Sequence, residues 1–373
     1  MAEIDKALPN VSETVTVSEE EIEQLPQPEV NEPTDIRTNE DGSVDINFEE
    51  EMAPMPQDHF ANLADYMDDS ELGLLGTDLT EKYRDYKNSR KEWEQAYVTG
   101  LDLLGFKYTM RSEPFQGASG ATHPVLAEAV TQFQALAYKE LLPSNGPVRT
   151  QILGASTPAK EQQAERVKEF MNYQLMDQMK EYEPEFDYML FYLPLAGSTF
   201  KKVYYDDLLG RAVSKFVPAD DLVVPYSATS LDDAEAIVHV IKTSENDLRK
   251  QQVSGFYRDV EISEPGDDSS NELEKKEREL EGQQKTRDED IHTLLEFHMD
   301  LDLVGFEDKN AQTGEETGIK LPYIVTIEES SQTILSIRRN FDQGDPMRKR
   351  KQYFVHFKFL PGLGFYGFGL IHM

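Results

Sequence analysis

The stretch Ser198–Lys250, STFKKVYYDDLLGRAVSKFVPADDLVVPYSATSLDDAEAIVHVIKTSENDLRK, constrains the fold most, because it packs three β-type apolar runs into one short span with only turns between them. Phe200–Tyr205 and Ala212–Val217 are rich in β-branched and aromatic residues. The linker Asp206-Asp207-Leu208-Leu209-Gly210 joins them as a turn, with Gly210 free to take a positive φ. A third run, Ala236–Ile241, follows the acidic turn Ser230–Asp233. Ser244 then caps a short helix with Leu248 and Val253 on one face and Gly255 as its stop. No residue in this stretch makes a recognisable catalytic group, so it reads as sheet scaffold, and function has to be sought in what the sheet holds.

The flanks read as attachments to that scaffold. From Thr77 or Asp78 a helix is expected, with Tyr83, Tyr86, Trp93, Tyr97 and Leu101 recurring at helical spacing until Gly105 breaks it. A loop, Arg111–Thr122, leads to a second helix with Pro124 in its first turn, and Val125, Ala129, Phe133, Leu136 and Leu141 are expected to face a core. Leu142–Pro158 is a loop with one strand at most. Thr157-Pro158 opens what reads as the longest helix, Ala159–Tyr182, with Val167, Phe170, Met171, Leu175 and Met179 along one side. Glu185–Ala196 is apolar on most faces and is expected to be buried between layers. Downstream, Thr293–Leu301, Leu321–Ile327, Thr333–Arg338 and Tyr353–Phe359 read as strands. The chain finishes PGLGFYGFGLIHM, a glycine/aromatic loop running into the first turn of a further helix, which suggests a piece of a longer protein.

Charge divides the chain. Residues 1–80 carry 22 Asp/Glu against Lys6 and Arg37, more than half of the net charge of -34. Residues 1–77 therefore read as a disordered acidic leader, since low hydrophobicity with high charge does not offset ordering entropy. Residues 263–290 are a second charged segment, read as a mobile insertion whose middle, Asn271–Leu280, is transiently helical. The expected order is thus a leader (1–77), a helical and sheet core (78–262), the insertion (263–290) and a second β-rich part (291–373). The fold class is α+β, amphipathic helices packed on mixed or antiparallel sheet. An acidic surface argues against an ordinary DNA-binding module, whose affinity comes from basic residues on phosphates. With no cysteine, disulfides, Cys-ligated zinc and thiol nucleophiles are excluded.

Candidate sites are sparse. Gly117-Ala118-Ser119-Gly120 precedes a helix but lacks the phosphate-loop pattern, so Gly117 and Gly120 read as a packing or hinge loop, as do Gly362, Gly364 and Gly367 near the C-terminus. The seven histidines fall at no metal-ligand spacing, and His239, His298 and His356 lie in strands. Asp220-Asp221 and Asp232-Asp233 are paired carboxylates, but neighbours on a strand point to opposite faces, so they read as turn and cap residues ahead of a hydrolase site. The run Arg348-Lys349-Arg350-Lys351 is a candidate DNA or subunit contact, weighed against a solvated loop before an edge strand. No catalytic, cofactor-binding or metal-ligating residue is assigned. The chemistry alone describes an α+β assembly component.

Longer strings carry a resemblance. WEQAYVTGLDLLGFKY (Trp93–Tyr108), PFQGASGATHPVLAEAVTQFQALAYKELLPSNGPVRTQILG (Pro114–Gly154), AGSTFKKVYYDD, FVPADDLVVPYSATSLDDA, SENDLRK and FLPGLGFYGFGLIHM, in that order, resemble the portal (head-to-tail connector) proteins of short-tailed bacteriophages, the group of the phage P22 portal. The resemblance covers about residues 78–373. It implies a homo-oligomeric ring, usually of twelve subunits, at the unique capsid vertex of the virion. Double-stranded DNA passes its channel during packaging by the terminase and again during ejection through the tail. It also implies an α/β wing around channel helices, contacts with capsid, scaffold and tail adaptor proteins, assembly in the host cytoplasm, no cofactor and no bond-making chemistry. An acidic channel wall then resists adhesion to moving DNA, because each neutralised phosphate would add affinity. The alternative is a virion structural or adaptor protein whose acidic leader recruits assembly partners.

Overall fold

A computed structural model describes residues 58–104, 115, 123–206, 209–262, 272–282, 291–309, 315–362 and 364–373, together with the backbone of 35–38 and 44–47. Gly117 and Gly120 lie outside these residues. Two compact units divide the chain, residues 1–55 and 56–373. In the first, β1 (Asp35–Thr38) and β2 (Val44–Asn47) pair antiparallel, Ile36 opposite Ile46. Pairing here differs from the expectation of a leader without secondary structure.

In the second unit the helices are α1 (Asp69–Ser89), α2 (Lys91–Leu101), α3 (Val125–Leu141), α4 (Pro158–Tyr173), α5 (Tyr182–Ala196), α6 (Glu245–Val253) and α7 (Glu272–Glu281). The strands are β3 (Ser198–Asp206), β4 (Arg211–Pro218), β5 (Leu222–Val223), β6 (Ala236–Ser244), β7 (Ile291–Leu301), β8 (Leu321–Glu328), β9 (Ile334–Arg339) and β10 (Phe354–Lys358). They form two antiparallel sheets, β10-β3-β4 and β5-β6-β7-β8-β9. The β3–β4 hairpin forms as expected, with Gly210 at φ 61. The third run of the organising stretch does not join it. β6 pairs with β7 across nine registered positions, Ala236↔Met299 to Ser244↔Ile291, so Ser198–Lys250 supplies strands to both sheets.

The main core lies on the five-stranded sheet. Phe297, Val325, Ile327 and Ile337 are fully buried there under Leu63, Leu72 and Leu79. This moves the edge of the leader: α1 begins at Asp69, nine residues before the expected cap, because Leu72, Leu75, Leu79 and Tyr83 continue one apolar stripe toward the N-terminus. Asn62, 6 % exposed, donates from Nδ2 to the Leu335 carbonyl and accepts from the Ile337 amide at 2.9 Å, so the segment before α1 completes the exposed edge of β9.

Two helical expectations are corrected. The predicted single helix Ala159–Tyr182 ends at Tyr173, followed by a π-helical turn, Gln174–Gln178, before α5 begins. The insertion does not read as loose at its middle: α7 is docked, with Leu273 buried beside Tyr97, Leu101 and Leu104. Residues 263–271 and 283–290 lie outside the described set. Ser244 caps α6 as expected, accepting from the Asp247 amide, and Leu248 is buried, but Val253 points to solvent. The chain ends in a single 3-10 turn, Leu370–His372.

Candidate functional site

Arg90 sits at the break between α1 and α2, where its backbone (φ −105, ψ 8) leaves helical geometry. Its buried guanidinium donates from Nη1 to the carbonyls of Ala219 at 2.8 Å and Leu222 at 2.9 Å, from Nη2 to that of Asp220, and from Nε to Glu94 at 2.8 Å. A further Nη1 bond of 2.9 Å reaches the Tyr366 hydroxyl, which itself donates to the Leu222 carbonyl. Trp93 stacks on Tyr366 with ring centroids 4.8 Å apart. One side chain therefore fastens the FVPADDLVV loop and the C-terminal glycine/aromatic loop to the same helix break.

The glycines of that C-terminal loop are needed for contact. Gly197 ends α5 at φ 83, and a Cβ there would lie 2.2 Å from the Gly369 amide nitrogen. At Gly367 a Cβ would meet the Gly197 carbonyl oxygen at 2.5 Å, and at Gly362 the Tyr366 oxygen at 2.4 Å. Gly364 faces open space.

The basic run is largely engaged within the chain. Arg348 pairs with Asp308, Arg350 donates to the Ala234 carbonyl at 2.9 Å, and Lys351 pairs with Asp342 at 2.5 Å. Lys349 is exposed, and its backbone amide donates to Asp345. The cluster thus closes the loop before β10 with three of its cations and presents Lys349 outward.

The two carboxylate pairs belong to different networks. Asp233 accepts from the Ser230 amide at 2.6 Å and the Thr229 hydroxyl at 2.5 Å, and these bonds hold its carboxyl well below the ordinary range. It is a turn cap. Asp220 and Asp221 line a small cleft with Tyr83, Lys242, Glu274 and Glu329. Burial, and for Asp221 the adjacent Asp220, pushes both carboxyls up. On α7, burial and the negative Asp220, Glu281 and Glu274 push Glu277 up to about 8, with Lys242 opposing. Among the described residues no His, Asp and Glu group is arranged to hold a metal ion.

A buried network that sequence reading missed joins the two sheets. Lys202 of β3 donates to both oxygens of Glu296 of β7 at 2.6 and 2.8 Å, and the His298 ring contacts the same carboxylate at 2.7 Å. Burial alone would raise the Glu296 carboxyl, but Lys202 and the bonds to His239 and His298 hold it well below its ordinary range. These residues sit far apart in sequence and on strands whose pairing partners the residue pattern does not specify.

The feature that most departs from a self-contained domain is the helical surface. Val125, Leu136 and Leu141 of α3, expected in the core, are 61, 70 and 50 % exposed, and Val130 is the helix's one fully buried residue. α4 buries nothing: Val167, Phe170 and Met171 all face solvent. On α5, Met189, Leu190 and Leu195 are buried as expected, whereas Tyr188 is 64 % exposed. Between α3 and α5 runs an open cleft of about 580 Å³, lined by Thr131, Ala135 and Tyr138 on one side and Glu183, Pro184 and Asp187 on the other. Among the described residues these apolar stripes, though at helical spacing, are not covered by other parts of the chain. No protein-family model matches the chain, and no curated protein matches it significantly.

Proposed function

We propose that this chain is a ring-forming structural subunit, a portal-type protein whose oligomer makes the channel for double-stranded DNA at a capsid vertex. The observation that supports the reading most is the unpartnered apolar surface of α3, α4 and α5, with Leu136, Phe170 and Tyr188 each more than half exposed. A 42.6 kDa chain with a full core beneath two sheets has no need of that surface for its own folding. Neighbouring copies would bury it.

The assignment to portals rather than to oligomers in general rests on the ordered strings between Trp93 and Met373. Three of these strings meet at one place: WEQAYVTG supplies Trp93, FVPADDLVV supplies the carbonyls of Ala219 and Leu222, and GFYGFG supplies Tyr366. On this reading the protein performs no bond-making chemistry. Its partners are further copies of itself, the terminase, capsid and scaffold proteins, the tail adaptor and double-stranded DNA that passes through the channel without sequence specificity, in the virion and, during assembly, the host cytoplasm. The net charge of -34 suits a channel that must not grip phosphates. Electrophoretic retardation with linear duplex tests that part: no retention at moderate salt is expected, and salt-sensitive binding with a steep slope would count against a non-adhesive wall. Assembly itself is tested by negative-stain imaging of the purified chain for closed rings.

A further inference from the structure

We propose that the cleft between α3 and α5 receives the α4 arm of a second copy of this chain. The inference rests on the oligomeric reading above and names the two surfaces that meet. The segment between α3 and α5 leaves the body and returns as an arm tied at its base. The Val148 amide donates to Asn172 Oδ1 at 2.9 Å, and Asn172 Nδ2 donates back to the Val148 carbonyl at 3.2 Å. Beyond this tie Leu153 is 85 % exposed, α4 buries no residue, and α4 makes no extended packing contact with another helix or strand among the described residues, apart from its π-helical continuation. Yet α4 is amphipathic: Ala164, Val167 and Met171 fall on one side with Phe170 beside them, Lys160 lies on the same line at its N-terminal end, and Lys168 flanks it.

The cleft has the complementary character. Its lining combines Ala135, Pro184 and the Tyr138 ring with the carboxylates of Glu183 and Asp187. Those two carboxylates take hydrogen bonds from the Tyr138 hydroxyl and from Gln134 Nε2, neither of which carries charge, and no ion pair with a cation is present for either among the described residues. An apolar helix stripe that carries lysines at its end and flank fits a cleft that combines apolar groups with carboxylates. DNA is kept from such a cleft by the negative charge of Glu183 and Asp187. Lys168 is held only by an exposed pair with Glu165, a bond weak enough to exchange. Because arm and cleft are different surfaces, the contact is head-to-tail. Such contacts propagate from copy to copy and close into a ring when the rotation allows.

The chain has no cysteine, so single introduced thiols report the contact cleanly. Ala135→Cys in the cleft and Val167→Cys on the arm are made in separate, differently tagged copies and treated with a short bismaleimide. The expected result is a crosslinked dimer from the mixture and none from either variant alone. Persisting oligomers without the mixed product overturn the arm-in-cleft contact and leave the oligomeric reading standing. Homotypic products exceeding the mixed one also overturn it. A chain that remains monomeric by light scattering overturns both. As a second readout, Glu183→Lys with Asp187→Lys, or Lys160→Glu with Lys168→Glu, is expected to reduce the mixed product several-fold, and both reversals together in one chain are expected to restore it. Reversals without effect contradict the charge match.

Discussion

Arg90 Nη1 lies 2.9 Å from the Tyr366 hydroxyl, joining residues 276 positions apart at a buried helix break. The same guanidinium donates to the carbonyls of Ala219, Asp220 and Leu222, the last of which also accepts from the Tyr366 hydroxyl. Replacing Arg90 by Ala takes this donor from the Ala219 and Asp220 carbonyls and from Glu94, and a loss of about 3–5 kcal/mol is expected. Arg90→Lys keeps the charge but not the fork, and is expected to recover less than half of that loss. Tyr366→Phe is expected to cost about 1 kcal/mol. Urea unfolding of the three variants checks the order.

Trp93 is the chain's single tryptophan and stacks on Tyr366, so its fluorescence reports docking of the C-terminal loop. Gly197→Ala and Gly367→Ala each force a Cβ to within 2.5 Å of backbone atoms across the contact, and a red-shifted emission is expected from both. Gly364→Ala, which meets nothing within 4 Å, is expected to leave the spectrum unchanged. Equal shifts from all three variants would show that loop flexibility, not close packing, is what these glycines provide.

Much of this arrangement was legible in residue order. The β3–β4 hairpin followed from its two apolar runs and the turn at Gly210, and the cap at Ser244 from the helical face that opens with Leu248 behind it. What was not legible depended on partners. A helical stripe such as Val125, Leu136 and Leu141 announces an apolar face without saying whether the same chain or another covers it. The distribution of β3 and β6 into separate sheets is decided by β10 and β7, which begin at Phe354 and Ile291, well beyond the end of the stretch at Lys250, and no local pattern reports pairing at that range. Likewise Arg348, Arg350 and Lys351 looked available because their acceptors, Asp308, Ala234 and Asp342, lie outside the run.

Glu277 makes stability fall with rising pH. Burial and its acidic neighbours push its carboxyl up to about 8 in the folded chain, against about 4.5 for an ordinary glutamate, so the native state retains a proton that the unfolded state has released. Stability is therefore greatest below the unfolded value and declines as pH rises from about 4.5 through 8. Glu277→Gln is expected to flatten that decline in thermal melts. The lowered Glu296 carboxyl acts in the opposite sense: its contribution is present above the ordinary glutamate range and disappears as pH falls through its folded value. Glu296→Gln should thus be most damaging near neutrality and least damaging in acid.

The structure also sets where the acidic leader can be removed. Deleting residues 1–55 takes away one compact unit and is expected to leave the melting temperature of the remainder nearly unchanged. Deleting residues 1–69 also removes Leu63, Ala64 and Asn62, all within the main core or its β9 edge, and a loss of at least about 3 kcal/mol is expected from the buried apolar surface and unpaired backbone groups. Calorimetry on the two truncations separates a dispensable leader from a folded one.

The central claim is that this chain assembles through its helical surface into a closed ring. Negative-stain imaging of the purified chain, with its solution mass followed by light scattering over a concentration series, tests this most directly. Closed rings with a central hole are expected, with a mass that is a fixed multiple of 42.6 kDa and that is lost on Phe170→Glu. A particle that stays at 42.6 kDa at every concentration, or open filaments without closure, would contradict it.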